Sequence, residues 1–268
     1  MRPHDSTTID RLRAQIAALE KRPALAEDAV FSGKADDLLP VPAGMLHEVF
    51  TDEHRNSGAA LGFALGAARP LLKPERPAIL VMQLSADGRE MGVPYGPGLK
   101  SFGIDPGAVI LTRAETVTEF LWAIEEAVAT TAVAAVIADI ASHQHDIDFT
   151  VSRRLVLRAA ATGTSVFLTR YGTGREASAA KYRWKVLPTP SGSPPFDARA
   201  PGPPRFAVTL EKGRIAGFSA DWSLLMDWTA DGFALVEHSR EDSQPAHRAA
   251  PLSGADSAAL GDRLPLAG

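Results

Sequence analysis

Two segments of this chain are apolar almost without interruption and too short to be ordinary helices: Ala78–Leu84, AILVMQL, and Ala132–Asp139, AVAAVIAD. Runs of this length and uniformity fit strands covered on both faces, as in a parallel sheet clad with helices. The surrounding segments fit the same plan. Leu46–Phe50, LHEVF, is a short β-type run, and Gly58–Ala68, GAALGFALGAA, reads as a buried helix. Pro97–Phe102 reads as a short helix or turn, and Val109–Thr112 as the next strand. Thr116–Thr130 is an expected helix with Val117, Phe120, Leu121, Ile124 and Val128 on one stripe. Phe149–Ala161 is a further helix and Ser165–Thr169 a further strand. Strands separated by helices imply right-handed crossovers and an α/β fold with a mainly parallel sheet.

Beyond Arg170 the pattern changes. Tyr182–Leu187, Arg205–Glu211 and Trp222–Trp228 alternate apolar and polar residues, as strands of an antiparallel C-terminal extension do. Pro188–Pro204 holds seven prolines and reads as a loop. The expected organisation is an N-terminal helix and linker over 1–42, one α/β domain over 43–236, and a disordered tail over 237–268. With 268 residues and 45% of them hydrophobic, the chain can build one full core. It has no cysteine, which excludes disulfides, thiolate metal sites and Cys nucleophiles. No apolar run reaches the ~18 residues of a membrane span. The N-terminus MRPHDSTTIDRLRAQ lacks the apolar core of a signal peptide. The cytoplasm is the default expectation, with no membrane partner.

Between LHEVF and GAALGFALGAA lies TDEHRNS. Strand, loop, helix is the context of a Walker A motif, G-x-x-x-x-G-K-[ST]. Gly58 fits the second glycine. The first glycine falls on Glu53, the lysine on Ala59 and the hydroxyl residue on Ala60. Phosphoryl transfer needs backbone N–H groups and an ammonium around the phosphates, and a hydroxyl on Mg²⁺. Here both side chains are replaced by methyls, and Asp52 and Glu53 add negative charge. No cofactor and no ATPase activity are expected. A nucleotide-binding enzyme with unusual ligands remains the alternative.

The charge is uneven. Residues 151–185 carry Arg153, Arg154, Arg158, Arg170, Arg175, Lys181, Arg183 and Lys185 against Glu176, a local charge of +7 in a chain of net charge −4. Such a segment is either a site for nucleic acid or an acidic partner, or the solvated faces of a helix and two strands. His143 and His145, with Asp146 and Asp148 after them, have metal-ligand residue types. Without further paired ligands they read as a solvated loop, and no metal site is expected. Trp184, Trp222 and Trp228 sit at alternating strand positions that more often fill a core than stack bases. At the N-terminus, Ile9, Leu12, Ile16 and Leu19 follow a 3-4-3 spacing, an apolar seam two heptads long. The seam packs either on its own domain or on another chain.

In order, these elements resemble the core of RecA, most closely over Phe102–Ala127. LHEV, REMGVPYGPGL, AAVIADI, SRRLVLRAAATGTSVFLTR and AAKYRWKVLPTPS resemble more closely still the ImuA family, RecA-like accessory proteins of bacterial damage-induced mutagenesis. The resemblance spans about 43 to 228. It implies a RecA-like core and a place in a mutasome with ImuB, an inactive relative of Y-family polymerases, and through it an error-prone C-family polymerase. It implies translesion synthesis support in the SOS response and association with the nucleoid after damage. It leaves RecA, single-stranded DNA and a second copy open as further contacts. Asp139 matches the Walker B aspartate. Glu90 lies near the glutamate that activates water in RecA, about one residue out of register. In RecA an N-terminal helix packs on the next subunit, which favours Ile9, Leu12, Ile16 and Leu19 as a partner-docking helix. A SulA-type division inhibitor, also a trimmed RecA core, is a third reading.

Overall fold

The computed structural model describes residues 43–141, 146–194, 197, 199–213, 215 and 223–236. The N-terminal seam, His143 and His145, Trp222 and the tail from 237 lie outside the described residues.

Nine strands form one sheet in the order β3-β2-β4-β5-β1-β6-β7-β8-β9. They are β1 (Leu46–Thr51), β2 (Ala78–Leu84), β3 (Val109–Ala114), β4 (Val133–Asp139), β5 (Ser165–Tyr171), β6 (Tyr182–Thr189), β7 (Arg205–Lys212), β8 (Ser223–Thr229) and β9 (Gly232–Leu235). Every pair from β3 to β6 is parallel. β6 to β9 is an antiparallel meander. The α/β fold and its antiparallel extension are thus as expected, with one correction. β6 does not belong to the extension alone. It pairs parallel with β1, His47 opposite Tyr182, and antiparallel with β7. Its alternation could not reveal that second, parallel neighbour.

Among the described residues, five α-helices accompany the sheet: α1 (Ser57–Ala68), α2 (Ser85–Met91), α3 (Gly96–Ser101), α4 (Val117–Ala129) and α5 (Phe149–Thr162). Helix α4 begins with a capping box. Thr116 Oγ1 accepts from the Glu119 N–H at 3.2 Å, and Glu119 Oε2 accepts from the Thr116 N–H at 3.2 Å. Helix α5 is capped by Asp148, which accepts from the Val151 N–H at 2.8 Å. It ends at Gly163, whose φ of +76° suits a residue without Cβ. The α4 stripe buries Phe120, Ile124 and Val128, as its periodicity predicts.

The apolar strands separate two cores. On one face α1 brings Phe63 against Val49, Ile137 and Trp184, and the meander adds Phe206, Trp228 and Phe233. On the other face Phe120 and Ile124 of α4 and Leu155 of α5 meet Val136, Val166 and Leu168. Trp184 and Trp228 are buried, the core role expected of alternating strand positions. Glu90 lies on helix α2 and is exposed. No helix among the described residues is long and apolar enough to cross a membrane.

Candidate functional site

The carboxyl ends of parallel strands, flanking the point where the strand order reverses, are where open α/β sheets bind ligands. Here that region holds the ends of β1, β4 and β5. The β1–α1 loop is drawn into a 3-10 turn, His54–Asn56. The Asn56 N–H donates to the Glu53 carbonyl at 3.0 Å and the Ser57 N–H to the His54 carbonyl. Two N–H groups of the degenerate phosphate loop are therefore spent within it. Glu53 is exposed and pairs with Arg55 at 2.7 Å. Gly58 is exposed, with open space where a Cβ would stand. Ala59 is half-buried, and Ala60 is buried in the α1 core, where a Walker hydroxyl would have to face Mg²⁺.

Asp139 ends β4, is 3% exposed, and has both oxygens occupied. Oδ1 accepts from Thr169 Oγ1 at 2.5 Å and from the Tyr171 hydroxyl at 2.6 Å. Oδ2 accepts from Gln83 Nε2 at 3.0 Å. The donors come from alternate positions of β5 and from the end of β2, strands flanking β4 on both sides. Burial first, and the Asp139 carboxylate second, push the Tyr171 phenol well above its usual range. The His54 ring stands over Tyr171, centroids 5.1 Å apart. The loop that would hold phosphate thus packs on the side chain that closes the aspartate. Glu90 has no hydrogen bond into this network.

Chemically the arrangement is an aspartate held by three internal donors, not an open acceptor for a metal-bound water. Among the described residues no group of three or more His, Asp or Glu could hold a metal ion.

A second buried network lies on the α5 side of β1. Glu48 is fully buried, with Arg170 at 3.0 Å, Arg183 at 2.8 Å and Ser178 Oγ at 2.7 Å. Arg170 also reaches Glu176 at 3.2 Å. The expected basic segment is not a continuous cationic face. Arg170 and Arg183 are buried and partnered inside the fold, a correction to their reading as surface contacts. Linear charge cannot show it, because their partner Glu48 is more than a hundred residues earlier. Arg175 pairs with Glu211 and stacks 4.0 Å over Phe50. Lys185 pairs with Asp52 at 2.9 Å. Arg154 and Arg158 share Glu125 at 3.1 and 3.0 Å. Of the eight cations, Arg153 and Lys181 are exposed and without an ion pair among the described residues.

Sequence reasoning found Asp139 but missed Tyr171, Thr169, Gln83 and Glu48. Gln83 breaks the otherwise apolar β2, and that interruption was the available signal. β1 and β5 carry other polar residues, so Glu48, Thr169 and Tyr171 did not stand out in them.

The sheet order, the loop-to-helix turn after β1 and the acid ending β4 are those of a RecA-like α/β fold, with Asp139 at the end of β4 closed over by Tyr171. Protein ImuA of Caulobacter vibrioides, strain NA1000, is 32% identical over 196 residues, covering 69% of this chain and 75% of that protein. Protein ImuA of strain ATCC 19089 matches to the same extent. The chain belongs to the ImuA family. No protein-family model matches it. The crystal structure of the RadB recombinase is 14% identical, with a TM-score of 0.47 over 76% of this chain and 97% of that one.

Proposed function

We propose that this chain is a RecA-like adaptor without ATPase activity that serves error-prone translesion DNA synthesis, bridging ImuB and a C-family polymerase. The observation that supports it best is the occupied Asp139. An aspartate that orders Mg²⁺ and its water needs free lone pairs, and Thr169, Tyr171 and Gln83 occupy three of its roughly four acceptor positions in a buried setting. With methyls at Ala59 and Ala60, binding energy must come from protein surface instead. The test is to mix the purified chain with purified ImuB and assay ATP turnover on the same material. Co-elution with ImuB and no turnover above background are expected. Turnover that disappears in Asp139→Ala overturns the non-catalytic part, and separate elution overturns the adaptor part.

Contact with single-stranded DNA is a second reading, carried by the exposed and unpaired Arg153 and Lys181. Phosphate contacts release counterions, so such binding weakens steeply with salt. Arg153→Glu with Lys181→Glu then weakens it for all sequences alike. No binding at low salt removes this reading. Ile9, Leu12, Ile16 and Leu19 are proposed as the helix that docks on another chain. Deleting residues 1–22 is expected to reduce complex size on gel filtration and leave the melting temperature of the core unchanged. A lowered melting temperature with an unchanged complex removes that proposal.

A further inference from the structure

We infer that the outer face of α4 and α5 docks an acidic, amphipathic segment of another protein. The inference deepens the adaptor reading and rests on it, since it gives that partner a surface and a chemistry. Glu125 of α4 accepts from Arg154 and Arg158 of α5, which locks the two helices side by side. Trp122 stands one turn before Glu125 and is 65% exposed. Leu157 stands among the arginines, three residues after Arg154 and four after Arg153, and is 52% exposed. Residues three and four apart share a helix face. Trp122 and Leu157 therefore flank the same bridged arginines on the side away from the sheet.

Single exposed apolar residues are ordinary. A tryptophan and a leucine around a set of arginines are not, because aromatic and Arg side chains are those that anchor protein interfaces. The charge selects the partner. Two guanidinium groups of α5, those of Arg154 and Arg158, share the one carboxylate of Glu125, and the exposed Arg153 adds a third cation to α5. The side chains of Arg154 and Arg158 remain 54% and 45% exposed, so N–H groups not used on Glu125 are open to further acceptors. The exposed carboxylates of α4, Glu119 and Glu126, stand three residues before and four past Trp122, so α4 is the acidic half of the face and α5 the positive half. A partner that matches has carboxylates over α5 and an apolar residue between them and Trp122. Nucleic acid fits less well. Glu125 would repel phosphate between the arginines, and the aliphatic Leu157 offers no stacking plane.

The test uses the full chain with fluorinated tryptophan, the Trp122 resonance being assigned by its loss in Trp122→Phe. Three probes are titrated: an 18-residue helical peptide with Leu on a 3-4 spacing and Glu elsewhere on the flanks, the same peptide with Lys for Glu, and a single-stranded oligonucleotide. The Glu peptide is expected to shift the Trp122 resonance saturably. Arg153→Glu, which disturbs no ion pair, is expected to weaken that binding at least tenfold, and Leu157→Ser likewise, with unchanged melting temperatures. No shift with the Glu peptide, an equal shift with the Lys peptide, or a shift with the oligonucleotide alone overturns the inference. Because the assay contains no ImuB, a chain that binds the peptide but not ImuB refutes the adaptor reading while this surface stands.

Discussion

The Tyr171 hydroxyl donates to Asp139 Oδ1 at 2.6 Å, across the junction of β5 and β4 at the end of the sheet where a RecA-like domain would hold nucleotide. Both residues are buried, and the same oxygen also accepts from Thr169. The aspartate that resembles a metal-binding group is thereby a structural acceptor shared by β2, β4 and β5.

This predicts an order of effects. Asp139→Ala strips three donors of their acceptor in a buried site and is expected to cost at least ~3 kcal/mol, since each unmet buried group costs ~1–3 kcal/mol. Asp139→Asn keeps an oxygen for Thr169 and Tyr171 and is expected to cost clearly less. Tyr171→Phe falls between them and opens no ATPase activity. Urea denaturation of the three variants checks the order. Equal stability of wild type and Asp139→Ala would refute the structural role.

Glu48 holds two buried guanidinium groups, and those of Arg170 and Arg183 also bind the 172–181 crossover through Glu176 and Ser178. Removing one partner of a buried ion pair costs ~3–5 kcal/mol, because the charge left behind is uncompensated. Glu48→Ala is therefore expected to lower stability by about that amount and expose the crossover to protease. Cleavage between Gly172 and Lys181 at the wild-type rate would contradict it.

His47 is fully buried between the rings of Phe167 and Tyr182, at 4.8 and 5.3 Å, and accepts from Trp184 Nε1 at 3.3 Å. Burial lowers its pKa from 6.5 to about 3. The unfolded chain thus takes up a proton below pH 6.5 that the folded chain refuses until about pH 3. Stability contributed by this group is whole above pH 6.5 and falls by about 1.4 kcal/mol per pH unit on acidification through that window. His47→Gln, which retains an acceptor for Trp184, is expected to flatten this part of the stability curve, at the expense of ring stacking at all pH values. Denaturation midpoints between pH 4 and 7 decide it, and parallel curves for the two proteins would refute it.

Gly66 of α1 is a close-approach point. A Cβ there would lie 2.6 Å from the Phe233 ring and 2.8 Å from Trp228. Gly66→Ala gains helix propensity yet must displace both rings, so a net loss of ~1–3 kcal/mol is expected. Quenching of Trp228 fluorescence should change with it. A stabilised variant would show that β8 and β9 yield freely.

Much of this architecture was legible beforehand because apolar period and length are local properties. AVAAVIAD has the length and two-sided apolar character of a covered strand, and Thr116 and Glu119 have the spacing of a capping box. β9 was not legible. Its four residues, GFAL, are too few to show a period, and they pair only because β8 presents an edge. Helix α2 was obscured by polar residues, since SADGREM carries no apolar stripe. At the site, alanines at 59 and 60 in place of a Walker A lysine and hydroxyl were visible, but the partners of Asp139 were not.

The sequence by itself determined the class of fold, the two-sided burial of the sheet and the absence of a Walker A lysine and hydroxyl after β1, because each depends on residue type and spacing within a few turns of chain. Tertiary structure decided which charges are spent. Glu48 meets Arg170 and Arg183, and Asp139 meets Tyr171 and Gln83, because the crossovers set β5, β1 and β6, and β2, β4 and β5, side by side. Electrostatic and hydrogen-bond energies depend on distances of a few Å in space. A chain position carries no such distance, so a run of arginines that looks like one basic segment divides, once folded, into buried struts, surface ion pairs and a few exposed cations.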